Sequence, residues 1–168
     1  MRKLFAAAVV AFALVLVSAI QSTAVGSGGK DVLDFDTMAP VDGPFVGPTT
    51  PVRGLAGGGL PWELDRAKGE LRTDGRLEVR VEGLVLARKA PVQPALQGTN
   101  PIPQFRAAVS CLTAASPQQG ETVFTDPVPA SPQGDARVET TVNLPDPCYA
   151  PIVFVTSPTN QWFAVTGR

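Results

Sequence analysis

The sequence predicts an all-β fold: an antiparallel β-sandwich, or alternatively a partly open β-barrel, with long Pro/Gly loops and one disulfide. Three observations carry this. Apolar and polar residues alternate with period two in several short runs, as strands with one buried face do. The 168 residues include 17 prolines and 16 glycines, spaced so densely that long helices have little room. The two cysteines, Cys111 and Cys148, lie downstream of what reads as an export signal, and disulfides persist in exported proteins.

Taken in chain order, the first element is that signal. Arg2 and Lys3 head an unbroken apolar run over 4–17, closed by Ser18, Ala19 and Ile20. Ser22 and Ala24 then occupy the −3 and −1 positions of a cleavage site. This order of charged, apolar and small residues is that of a secretory signal peptide over 1–24. Cleavage after Ala19, with Val17 at −3, is the second choice. An uncleaved anchor is the rival, since about 17 apolar residues is the lower limit for spanning a bilayer. Residues 25–168 then read as a single secreted domain. Losing Arg2 and Lys3 with the signal changes the net charge from −1 to −3.

The first strand is expected over 32–37, with Leu33 and Phe35 on one face and Asp34 and Asp36 on the other. A long ordered loop over 38–61 contains Gly57-Gly58-Gly59. Next, Leu77, Val79 and Val81 alternate with Glu78, Arg80 and Glu82, just after the turn signal Thr73-Asp74-Gly75. A three-residue loop with Gly75 left-handed sets Leu71 opposite Leu77, Gly69 opposite Val79 and Ala67 opposite Val81. The other face then pairs Glu70 with Glu78 and Lys68 with Arg80, and diagonal neighbours of opposite sign must offset this. A helix over 61–72 is the rival, since Leu64, Ala67 and Leu71 also fit helical spacing. Gly69 counts against that helix by about 1 kcal/mol. A second ordered loop over 91–103 carries four prolines.

Strands follow over 105–113, with Phe105, Ala107, Val109 and Cys111 on one face, and over 121–125. Another spans 136–144, with Val138, Val142 and Leu144 inward. The apolar run over 152–155 suits a central strand covered on both faces. A strand over 162–166 closes the chain across a hairpin loop at 157–161. Trp162 and Phe163 are neighbours in that strand, so they point to opposite faces and one lies outside the main core or under a loop. The two cysteines read as one disulfide, with two free thiols as the alternative, and no Cys-x-x-Cys unit suggests a redox role.

Composition excludes several chemistries. The chain has no histidine, which removes Ser-His-Asp and Cys-His nucleophiles and every His-ligated metal site. Two cysteines cannot build a four-thiolate zinc site or an iron–sulfur cluster. Near-zero charge argues against nucleic acid as a partner. Beyond the signal no apolar run approaches spanning length, so no membrane contact is expected after cleavage. Asp34 and Asp36, with Asp31 and Asp42 nearby, are candidate calcium ligands, although their spacing is not that of an EF-hand loop. The alternative reading is an edge strand kept acidic against edge-to-edge pairing. No other cofactor is implied. Glu63, Asp65, Glu121 and Glu139 are available for a carboxylate-based glycosidase, yet none carries a local signature. Trp62, Trp162 and Tyr149 are candidates for stacking on sugar rings, against the commoner role of aromatics as core.

Several segments carry a resemblance. GGGLPW at 57–62, GRLEVRVEGLVL at 75–86, FRAAVSCLT at 105–113, and DPCYAPIVFVTSP and QWFAVTG at 146–158 and 161–167 resemble a family of small exported proteins. Its members occur in bacteria and some fungi. The resemblance covers most of 44–167 and implies the same pairing of the two cysteines, but no activity, cofactor or partner. The residues themselves favour a secreted, non-enzymatic binding or structural module. A carboxylate-based glycoside hydrolase and a calcium-dependent adhesion module are the alternatives. The partners left open are a cell-surface glycan or a protein.

Overall fold

The computed structural model describes residues 29–167. The signal peptide expected over 1–24, and its cleavage point, lie outside the described residues. Twelve strands follow in order: β1 (Asp31–Phe35), β2 (Ala39–Pro40), β3 (Trp62–Glu63), β4 (Arg66–Arg72), β5 (Arg76–Glu82), β6 (Val85–Leu86), β7 (Gln104–Leu112), β8 (Glu121–Phe124), β9 (Val128–Pro129), β10 (Ala136–Thr141), β11 (Tyr149–Thr156) and β12 (Trp162–Val165). One sheet has the order β1-β4-β5-β10, and a second has β2-β12-β11-β7-β8 with β9 paired to the start of β7. β3 and β6 form a small third ladder. All these pairings are antiparallel, and the sheets do not close into a barrel.

The β4–β5 hairpin has the register read from the sequence: Leu71 opposite Leu77, Gly69 opposite Val79, Ala67 opposite Val81. The helix rival over 61–72 is replaced by β3 and β4. Gly75 has φ +83°, and the Val142 carbonyl leaves no room there for a Cβ. The Asp74 carboxylate fixes the turn by accepting from Arg76 N (3.1 Å) and Gly29 N (3.0 Å). Gly69, mid-strand, is covered by the Phe35 ring from across β1, one carbon lying 2.6 Å from where a Cβ would stand. An aromatic laid over a cross-strand glycine restores the packing that the glycine lacks.

The like-charged pairs of this hairpin are offset partly along β5 itself and partly on the diagonal to the neighbouring strand β10. Glu82 lies opposite Arg66 and takes Arg80 from its own strand at 2.9 Å. The third strand, β10, brings Arg137 to 3.0 Å from Glu78. These ion pairs are exposed, so each contributes only about 0–1 kcal/mol.

The core lies between the two sheets. Leu71, Leu77, Val79, Val81 and Val138 from the first sheet meet Phe105, Ala107, Val109, Val153 and Val155 from the second, all buried. Trp62 enters from β3 and stacks on Phe163, ring centroids 4.1 Å apart, while Phe105 packs edgewise on both. β11 is central in its sheet and buried on both faces over 153–156, as its apolar run requires. Its second face is covered by the 45–58 segment, a strap. Phe45 packs on the outward-facing Trp162, whose indole N–H donates to Leu55 O at 3.2 Å. The strap edge is bonded by Trp162 N to Ala56 O and by Gly58 N to Trp162 O. Trp162 is therefore the aromatic under a loop, and Phe163 the one in the main core.

Candidate functional site

Three loops meet at one end of the second sheet. The first is a two-residue turn, Val52-Arg53-Gly54-Leu55. Val52 and Leu55 exchange both backbone hydrogen bonds (3.0 and 2.9 Å), with φ positive at Arg53 and Gly54. Those dihedral signs match the tight hairpin turn of type I′. The second loop, 113–120, is closed by Ser116, whose hydroxyl donates to Gly120 O at 3.0 Å. The third, 145–150, is tied to β7 by the Cys111–Cys148 disulfide, Cα–Cα 4.9 Å. Arg53 joins the first loop to the third by donating from Nη2 to Ala150 O at 3.0 Å. Gln119 Oε1 approaches Gly54 and so brings the second loop to the first.

Tyr149 stands at the centre of this end. It is the single tyrosine of the chain, and at 62% exposure it is the most exposed large hydrophobic among the described residues. Its backbone is held on every side. Cys148 precedes it, Leu112 faces it across the ladder, and the following Ala150, at φ +42°, is anchored by Arg53. Beneath the loops, Arg53 Nη1 and the Ser110 hydroxyl are buried without partners among the described residues, and both lie around the side-chain position that Gly120 leaves empty.

Of the other sequence candidates, Trp162 bonds Leu55 of the first loop from beneath and Glu121 follows the second loop. Trp62 and Trp162 are 4% and 2% exposed, so neither indole offers a ring face to solvent. A strand pattern shows which way a side chain points but not what covers it, and here β3 and the strap do the covering. Asp34 and Asp36 lie at the edge strand β1, beside a hollow of about 300 Å³ that Lys68, Glu70 and Glu78 also line. Among the described residues, no three His, Cys, Asp or Glu side chains group as a metal site. Glu63 is engaged by Arg88, accepting from its backbone N and its guanidinium at 2.8 Å each. Glu139 takes Arg137 at 3.0 Å, and Glu121 lies opposite Cys111 at the β7–β8 edge.

Comparison with protein-family models, curated proteins and solved structures returned no match.

Among the described residues, two carboxyls have displaced titration, both downward. Asp42 is held low by the hydrogen bond from Lys89 and then by Gly43 N; Asp74 by Arg76 N and then Gly29 N. A general acid of a glycosidase needs the opposite displacement. Arg106 is lowered by burial, partly offset by Asp126, and its guanidinium lies 4.2 Å over the Phe124 ring. Arg53 and Gln119 were not foreseen as site residues. The Arg-Gly pair at 53–54 is a turn signal that could have located the first loop.

Proposed function

We propose that this chain is an exported, non-enzymatic binding module that holds an extracellular glycan on the Tyr149 ring. One observation carries the reading: an exposed aromatic on a backbone fixed by a disulfide, a ladder rung and an arginine clamp. A tyrosine loses only two side-chain torsions on contact and offers an apolar face with a hydroxyl at its edge. A backbone already ordered adds little further entropy cost when ligand arrives. The exposed Gln119, on the second loop, supplies a polar group of the kind that orients sugar hydroxyls. Export, and kinship with the small secreted family, belong to the same proposal.

The test is affinity electrophoresis of the folded protein through gels containing soluble cell-wall and plant polysaccharides. Retardation by one polymer is expected, lost in Tyr149→Ala and kept in Tyr149→Trp. Because Tyr149 is the only tyrosine, its ring NMR signals report contact directly. Passage through every gel without retardation, or retardation unchanged in Tyr149→Ala, overturns the proposal.

A further inference from the structure

The outer face of the first sheet carries its charges in rows. Glu70, Glu78 and Glu139 lie side by side across β4, β5 and β10, and Lys68, Arg80 and Arg137 form the adjacent row. Like charges directly opposite one another are unfavourable. Both rows end at β10, which pairs only with β5 among the described residues. Val142 N bonds Gly75 O at 2.9 Å, which fixes the phase of the ladder. Even-numbered residues of β10 bond β5, and Arg137, Glu139 and Thr141 turn their N–H and C=O groups away from it; β9 lies near the start of β10, with Pro129 beside Arg137. Asp135 is not available, because its backbone N and O are both taken by Ser131.

We infer that this edge pairs with the β10 edge of a second copy of the chain, antiparallel, about a two-fold axis through Val138. That register sets Arg137 opposite Glu139 of the second copy, and Glu139 opposite its Arg137. Each of these pairs exchanges two backbone hydrogen bonds, four in all. The same operation continues the acidic row into the second copy's basic row, so each like-charged row gains an opposite neighbour. Other registers lack this. An axis through Glu139 puts the two Glu139 side chains together, and one through Thr140 sets Glu139 against Thr141 with no charge gained. An edge that shields itself with charge repels its own copy. This one, read backwards, is complementary to itself, as a two-fold interface demands.

Sedimentation equilibrium of the full chain tests the inference. A reversible dimer is expected. Arg137→Glu alone, or Glu139→Arg alone, sets like charges across the axis twice and weakens the dimer at least about tenfold. The double variant Arg137→Glu/Glu139→Arg restores opposite pairs and returns the dissociation constant to within about threefold of wild type. Thermal melts establish that each variant is folded. Hydrogen exchange needs no variant: the amides of Arg137 and Glu139 gain protection as concentration rises through the dimer transition. A monomer at every concentration overturns the inference. So does a dimer insensitive to single reversals, a double variant that stays dissociated, or open-edge amides that exchange equally at all concentrations.

Discussion

Replacing both cysteines, Cys111→Ala/Cys148→Ala, tests how much of the stability rests on the single cross-link. The bridge joins positions 37 apart in sequence, and the closed loop contains β8, β9 and β10. Releasing it gives the unfolded chain a conformational entropy worth about 4 kcal/mol at 25 °C. Cys111 is fully buried, so its truncation adds a small void and up to about 1 kcal/mol more. A folded unit of roughly 140 residues has an unfolding entropy near 0.3 kcal/mol/K, so the melting temperature should fall by about 13–17 °C. The assay is calorimetry of the double variant beside the oxidised protein. The loss should also have a local component. The Leu112–Tyr149 rung is separated by an irregularity from the next rung, Ser110–Ile152, so only the bridge and Arg53 reinforce it. The amides of Tyr149 and Ala150 should therefore exchange faster than those over 153–156 in the variant. A fall of less than about 4 °C would refute the loop-closure argument. Uniform exchange along β11 would refute the account of the tip.

Two further outcomes follow from the strap and the hairpin turn. A Cβ at Gly57 would stand inside the Phe45 carbonyl oxygen and 2.8 Å from Val41 Cγ2, so Gly57→Ala should cost about 1–3 kcal/mol. It should also redden tryptophan emission as the strap lifts from Trp162; an unchanged melt and spectrum contradicts the strap's role. For Asp74 the folded pKa lies below the ordinary 3.8, so its stabilisation is present above that value and is lost as pH falls through the lowered one. Asp74→Asn should lower stability at neutral pH and flatten the acid decline between about pH 5 and 2. A parallel acid decline in wild type and variant excludes the carboxylate as its source.

Local chemistry in the sequence revealed what local chemistry decides. Alternation and Thr73-Asp74-Gly75 were enough to set the β4–β5 register, because a tight turn permits few pairings. The neighbour of β5 was a different matter. Its partner β10 begins 54 positions after the end of β5, and nothing in either strand names the other. The role of Arg137 in relieving Glu78 was hidden for the same reason. The two-residue strands β2, β3, β6 and β9 are too short for any periodicity to show. At the tip, Tyr149 was legible as an aromatic but not as the exposed one. Its exposure depends on which loops converge there, and that is decided by Arg53, nearly a hundred residues away. The strap over Trp162 has no alternation, so it gave no sign of covering a sheet face.

The placement of the bridge also governs how the described residues would respond to being pulled apart along the chain. Tension reaching Gly29 and Gly167 meets β1 and β12 first; β1 is a sheet edge that can peel away rung by rung, whereas β12 is paired on both sides, to β2 and β11. The polypeptide between Cys111 and Cys148 cannot lengthen at all, because the force passes through the sulfur–sulfur bond instead. About 130 Å of contour is thereby withheld from extension, at 3.3–3.6 Å per residue. Under load the edge strand β1 would yield first while the segment carrying β8, β9 and β10 stayed closed. Reduction would release that hidden length in one step.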